Sequence, residues 1–254
     1  MLKLFDSHAH YNDKRFEGDR NALLKEVYEA GVEYVVNIGY DMESSEYTVK
    51  LCDEFDFLYG AVGIHPHDSK DATDESYDRL RALSAHEKIL AIGETGLDYH
   101  YDNSPRDIQK REFDKHLSLA EELKLPVVIH EREAVKDTLD ILKAHKATGV
   151  YHCFSGSVET AREVLNMGFY ISFSGVVTYN NAKHVKEACA FVPEDRILIE
   201  TDCPYLSPEP VRGKRNSSLN LIHTLRAVAN LRGITEEKAA ELILNNAKAA
   251  YGIN

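Results

Sequence analysis

ILAIGETGLD, residues 89–98, is the stretch on which the fold turns. Its first five residues, ILAIG, read as a strand buried on both faces, because an unbroken apolar run has no polar side to show to water. A carboxylate, Glu94, follows at once. The pattern repeats in both directions along the chain. LKLF (2–5), VEYVVNIG (32–39) and FLYGAVGI (57–64) precede it; PVVIH (126–130), GVYHCF (149–154), FYISF (169–173) and ILIET (197–201) follow. Helical patterns lie between these runs. One opens at Ser104-Pro105-Arg106-Asp107, read as N-cap, first-turn proline and first-turn acid, with Phe113, Leu117, Ala120 and Leu123 as its apolar face. Another runs from about Glu236 to Ala249, between a Thr235 cap and a Gly252 stop. Eight strands in 254 residues leave about 32 residues for each β/α unit, the size a (β/α)8 TIM barrel needs. The expected fold class is α/β, with residues 1–254 forming one TIM-barrel domain. The rival, a doubly wound open sheet, lacks a Gly-rich phosphate fingerprint after the first strand.

Composition narrows the function classes. With 43% hydrophobic and 28% charged residues, the chain is neither disordered nor collagen-like. Thirty Lys and Arg against 42 Asp and Glu give a formal charge of −12, which excludes broad adhesion to duplex nucleic acid but not a local phosphate site. Cys52, Cys153, Cys189 and Cys203 form no C-x-x-C pair, so reduced thiols are expected rather than a disulfide framework or thiolate zinc site. Asp6 comes too early for a signal-peptide core, and no apolar run reaches membrane-spanning length. The expectation is a cytoplasmic protein with no membrane association and no obligate protein partner.

The chemistry lies at the end of each apolar run. His8, His10, His65, Glu94, His130, His152 and Asp202 recur at the C-terminal ends of the predicted strands. In a barrel those ends converge on the face where active sites are built. His8-Ala9-His10 in extended backbone turns both imidazoles to one side, suited to a shared ion. Glu94 leaves a buried strand, where a carboxylate is costly unless paired or bound to a cation, and its two oxygens can bridge two cations. The competing reading is an Arg-paired structural glutamate. His130 and His152 occupy equivalent places on neighbouring strands. Asp202 can bind metal, act as general base toward a metal-activated water, or both. Glu200, deeper in the same strand, reads as a supporting carboxylate. Four histidines and two carboxylates suit two divalent ions, with nitrogen and oxygen donors that fit Zn, Mn or Mg.

DSHAH (6–10), GIHPH (63–67), GETGLD (93–98), IHEREA (129–134), HCFSG (152–156) and ETDCPYL (200–206) together resemble the signatures of the TatD-type metal-dependent deoxyribonucleases, collinearly from first strand to last. The resemblance implies an amidohydrolase-like, metallo-dependent hydrolase barrel that hydrolyses DNA phosphodiester bonds, trimming single-stranded or frayed 3′ ends. It implies that His8, His10, Glu94 and Asp202 hold one ion and that Glu94, His130 and His152 hold the other, with Glu94 bridging. His65 matches a family position near the scissile phosphate or its water network; a structural role is its alternative. Arg132 stands where the family has an arginine able to grip phosphate oxygens, against a surface ion pair with Glu131 or Glu133. PEPVRGKRNSS (208–218) resembles the family's K-R-N-E-P stretch, with Ser217-Ser218 in place of Glu-Pro, a departure expected to bear on substrate preference. Arg212, Lys214 and Arg215 form a basic cluster there, read as a phosphate-approach loop with Arg215 as a contact, or as a solvated charge run.

Tyr99, Tyr101 and Tyr205 could stack on a terminal base, though tyrosines on a barrel rim usually pack. Two other function classes stay open. An amidohydrolase or esterase, such as a D-aminoacyl-tRNA deacylase, would use the same activated water, although no motif strand ends in the lysine that bridges metals in many relatives. A barrel retained as a binding scaffold would instead bind metal sub-stoichiometrically.

Overall fold

In the computed structural model, which describes residues 2–253, the eight apolar runs pair in chain order into one parallel sheet. The strands are β1 (Leu4–Ala9), β2 (Val32–Ile38), β3 (Leu58–Val62), β4 (Ile89–Asp98), β5 (Val127–Arg132), β6 (Gly149–Tyr151), β7 (Tyr170–Phe173) and β8 (Ile197–Ile199). The helices are α1 (Arg20–Glu29), α2 (Met42–Glu54), α3 (Asp74–Leu83), α4 (Arg106–Leu123), α5 (Val135–Leu142), α6 (Val158–Asn166), α7 (Lys183–Phe191), α8 (Leu221–Arg232) and α9 (Glu236–Tyr251). The sheet closes where Ala9 bridges Cys203 in parallel. Beside that bridge, His10 N–H donates to the Cys203 carbonyl at 2.8 Å and Asp202 N–H to the His8 carbonyl at 2.9 Å. The result is the expected (β/α)8 TIM barrel.

Below the mouth, alternation along the strands decides which side chains enter the barrel; register shifts in β1 after Asp6 and in β4 after Ile92 break it before His8 and Glu94. Phe5, Val36, Ala61, Ala91, Val128, Val150 and Leu198 form one inner core, closed by Ala247, Ala250 and Tyr251 of α9. Their strand neighbours, such as Val127, Ile129, Tyr151, Ile197 and Ile199, belong to the larger core shared with the helices. Two residues beyond an inward residue, the chain points inward again. That step leads from Val128 to His130, from Val150 to His152, and from Leu198 through Glu200 to Asp202. The barrel lumen is therefore apolar at its base and polar at its C-terminal mouth.

Several expected boundaries shift. β1 begins at Leu4 and runs to Ala9, so His8 lies in the strand rather than beyond it. β4 extends from Ile89 to Asp98, with Thr95, Gly96, Leu97 and Asp98 paired to Ile129, His130, Glu131 and Arg132. Apolarity stops marking both strands where their side chains turn polar, but the backbone pairing continues. Pro105, not Ser104, caps α4, and no side chain bonds to that helix end. The Ser104 hydroxyl instead donates to the His67 carbonyl at 2.8 Å and accepts from Lys70 N–H at 3.2 Å. α9 is capped by Thr235 as expected and runs two residues further than Ala249, to Tyr251, before Gly252. All four cysteines are free thiols. Among the described residues, no helix is long and apolar enough to cross a membrane.

Candidate metal centre

At the barrel mouth, β1 brings the Nε2 atoms of His8 and His10 to 3.1 Å from each other. Glu94 Oε2 lies 3.4 Å from His8 Nε2 and 3.6 Å from His10 Nε2. Asp202 Oδ1 lies 3.7 and 3.3 Å from the same two atoms. A tetrahedron of ligands at zinc-like distances has edges of about 3.4 Å; the donor atoms of His8, His10 and Glu94 have that spacing, and Asp202 Oδ1 lies at a similar distance from both imidazoles. The other Glu94 oxygen, Oε1, faces His130 Nδ1 at 2.9 Å, His152 Nε2 at 2.9 Å and His65 Nε2 at 3.6 Å. One glutamate thus presents one oxygen to each of two donor groups.

For three of the rings an outer partner fixes which nitrogen carries the proton, whereas His8 Nδ1 is buried without a hydrogen-bond partner among the described residues. His10 Nδ1 lies 3.0 Å from the Ile38 carbonyl, which can only accept, so Nδ1 donates and Nε2 offers a lone pair. His152 Nδ1 donates to Glu200 Oε1 at 3.2 Å, leaving its Nε2 lone pair toward Glu94. His130 Nε2 donates to Asp98 Oδ2 at 3.2 Å, which turns its Nδ1 lone pair toward Glu94. Neutral rings would therefore set acceptor against acceptor at 2.9 Å on Glu94. A cation between them, or protonation of the rings, resolves that conflict. The donor set fits divalent metal.

Electrostatics follow the same packing. Burial works against the Glu94 carboxylate, but the imidazoles of His152, His65 and His8 together hold it well below the usual range. Burial also opposes Asp202, which His10 and His8 beside it, when protonated, hold below its ordinary value. Both are carboxylates at neutral pH. Burial, reinforced by the charge of His130, pushes His65 well down, so it is neutral. Its Nδ1 accepts from His67 N–H at 3.2 Å, which leaves Nε2–H as a donor facing the site.

His8, His10, Glu94, His130, His152 and Asp202 are brought together, with His65 at their edge. Glu200 is buried and orients His152 while also accepting from Cys153 N–H at 2.9 Å. Arg132 lies at the rim with its guanidinium 4.7 Å from the Tyr101 ring centroid; neither Glu131 nor Glu133 pairs with it. Arg215 stays outside the cluster, held by Asp19 at 2.9 and 2.5 Å and donating to the Arg15 carbonyl at 2.7 Å. Arg212 lies over Tyr179 at 4.1 Å. Tyr99 packs as a structural residue, its hydroxyl donating to Asp137 at 2.6 Å, whereas Tyr101 and Tyr205 are exposed.

Ser217 and Ser218 do not line the mouth. They are buried beneath it, with the Ser218 hydroxyl donating to Asp6 Oδ2 at 2.6 Å. Thr201 also donates to Asp6, through N–H at 2.9 Å and its hydroxyl at 2.5 Å. Burial raises Asp6 to about 6 against these hydrogen bonds. The departure from Glu-Pro therefore bears on how β1 and β8 are held together. Asp98 and His67, paired at 3.0 Å, are functional candidates that the reading of strand ends passed over. The signal was present in GIHPH and GETGLD: once β4 is known to continue past Gly93, Asp98 lies four residues beyond Glu94 in the same strand.

The family model described as TatD related DNase matches residues 5–252. The chain is 44% identical over 254 residues to a Bacillus subtilis protein named uncharacterized metal-dependent hydrolase YabD, covering 99% of this chain and 100% of that one. It is 34% identical over 263 residues to a Cronobacter sakazakii protein named 3'-5' ssDNA/RNA exonuclease TatD, covering 97% and 100%. The crystal structure of the Escherichia coli TatD homolog YJJV superposes with a TM-score of 0.93 at 28% identity, covering 99% and 98%. The chain belongs to the TatD-related DNase family and is a metal-dependent hydrolase.

Proposed function

We propose that this hydrolase cleaves phosphodiester bonds of DNA from single-stranded or frayed 3′ ends. In this reading His8, His10, Glu94 and Asp202 hold one divalent ion and Glu94, His130 and His152 hold a second. The observation that carries it is the split presentation of Glu94, with one oxygen toward each donor group. Support for the nucleic-acid substrate comes from the family's description and from the relative named as an exonuclease. Ions at these positions supply Lewis acidity, activating water at neutral pH and neutralising charge that develops on a phosphoryl group.

The chain's own residues do the rest. Asp202, ionised and at the mouth end of its strand, accepts the proton of the attacking water. Its Oδ1 faces the imidazoles of His8 and His10, and in this reading the proton goes to Oδ2. His65 offers Nε2–H as a neutral donor to a phosphoryl oxygen. Glu200, Asp98 and the Ile38 carbonyl keep the surrounding rings from turning. Arg132 is the rim cation best placed to meet a phosphate.

The test is Asp202→Asn with a 3′-labelled single-stranded oligonucleotide and divalent metal supplied. Turnover is expected to fall by at least about 10³-fold while the circular dichroism spectrum is unchanged. Turnover close to the parent's would refute the role of Asp202. A D-aminoacyl-tRNA assayed alongside separates the readings: rapid ester cleavage with an inert oligonucleotide would replace DNA by an ester substrate.

A further inference from the structure

Asp98 stands outside both donor groups, yet four donors converge on it. Oδ2 accepts from His67 Nε2 at 3.0 Å and from His130 Nε2 at 3.2 Å. Oδ1 accepts from the backbone N–H of His100 at 3.0 Å and of Tyr101 at 2.8 Å. The carboxylate is 1% exposed. Its own main chain is clamped from α4, where Gln109 accepts from Asp98 N–H at 2.8 Å and donates to its carbonyl at 3.1 Å. One oxygen therefore holds a ring of the metal centre, and the other holds the first turn of the segment after β4.

That segment carries Tyr101, which is 54% exposed. The Tyr101 ring meets the edge of His67 at 5.2 Å and carries the Arg132 guanidinium on its face. Arg132 has no carboxylate partner among the described residues. Glu131 turns inward to accept from Ala134 N–H at 2.6 Å, and Glu133 pairs with His100 at 2.7 Å. An aromatic ring, an unpaired guanidinium and an imidazole thus share one wall of the mouth, a combination that suits a stacked base next to a phosphate.

We propose that Asp98 is a positioning residue that fixes His130 toward the metal centre and, through the same carboxylate, the Tyr101–Arg132 wall on which a nucleotide rests. The second half depends on the nucleic-acid reading above; the first does not. A carboxylate is rigid and planar, so it cannot turn to relax one side without straining the other. Asparagine has one acceptor oxygen, and its NH2 would confront either the two imidazole donors or the two backbone donors.

The test compares the parent with Asp98→Asn, using Mn2+ as the metal. In competition with a chelator, Asp98→Asn is expected to bind Mn2+ about 10–100-fold more weakly. Amide hydrogen exchange over residues 99–102 is expected to slow when the parent is loaded with Mn2+, and to ignore saturating Mn2+ in the variant. Asp98→Glu keeps two acceptor oxygens and is expected to recover part of the Mn2+ affinity. Tyr101→Ala, which leaves Asp98 in place, is expected to raise KM for a single-stranded oligonucleotide about tenfold, with kcat and Mn2+ affinity held. Parent-like Mn2+ affinity in Asp98→Asn, or rim exchange in the parent that ignores metal, overturns the proposal. The parent arm needs no variant, so it decides even if Asp98→Asn does not fold. An oligonucleotide left uncleaved by a parent whose rim does respond to Mn2+ removes the nucleic-acid reading and keeps the positioning role.

Discussion

Gly96 shows how little room the metal centre leaves at single positions. It sits between Glu94 and Asp98 with φ +144°, and a Cβ there would fall on the His130 carbonyl oxygen. Gly96→Ala must push β5 away, and His130 with it. The expected cost is about 3 kcal/mol of stability from backbone strain and overpacking, read as a shifted urea midpoint, with weakened metal binding; an unchanged midpoint would refute it. The glycine was visible in the sequence, but its purpose was not, because a strand ended at Gly93 gives Gly96 no neighbour to crowd. The candidate ligands that the structure brings together were legible for the opposite reason. Each follows an apolar run whose burial is unmistakable, so a charged or imidazole side chain placed there demands a partner. Asp98 and His67 follow no such run, and only pairing across β4 and β5 reveals them.

At the scale of elements, α4 does more than cover the sheet. His116, fully buried on its inner face, accepts Ile64 N–H at Nε2 over 3.1 Å, while Nδ1 donates to the Glu112 carbonyl at 2.7 Å. The helix thereby holds the end of β3 immediately before His65. Burial pushes His116 down to about 4 from 6.5. Above pH 6.5 the ring is neutral in folded and unfolded chains alike. Below it the unfolded chain takes up a proton that the folded one refuses until about pH 4. Stability is therefore lost as pH falls through this window, by about 3 kcal/mol in all. His116→Gln removes this contribution, so the stability gap between parent and variant should shrink by that amount between pH 7 and pH 4 in urea titrations. Parallel curves would show that His116 does not titrate this way. Two helices, α4 and α9, were legible from periodicity and the strands from apolar runs. The Ser104 cap was misplaced because a serine hydroxyl also serves tertiary contacts, here to His67 and Lys70, which local sequence cannot report.

For the whole molecule, the charge of −12 meets a mouth with few free cations. Arg15, Arg106, Arg212 and Arg215 each have a carboxylate partner. Among the described residues, Lys14, Lys70, Arg132 and Lys214 on that face have no ion pair. If three or four of these meet phosphates, log KM for a single-stranded oligonucleotide should rise with log salt at a slope of about 2–3. A slope of 6 or more would reveal a far longer track of contacts than this surface offers.

The seam of the barrel has a further consequence, in time rather than in space. Ala9 and Cys203 bridge the first strand to the last, and His8, His10 and Asp202 flank that bridge. No stretch of chain shorter than about two hundred residues contains both halves of the first donor group. During synthesis that group stays incomplete until Asp202 has left the ribosome, because Asp202 comes 194 residues after His8 in the chain. The contact that removes the last open edge of the sheet therefore also completes that donor group.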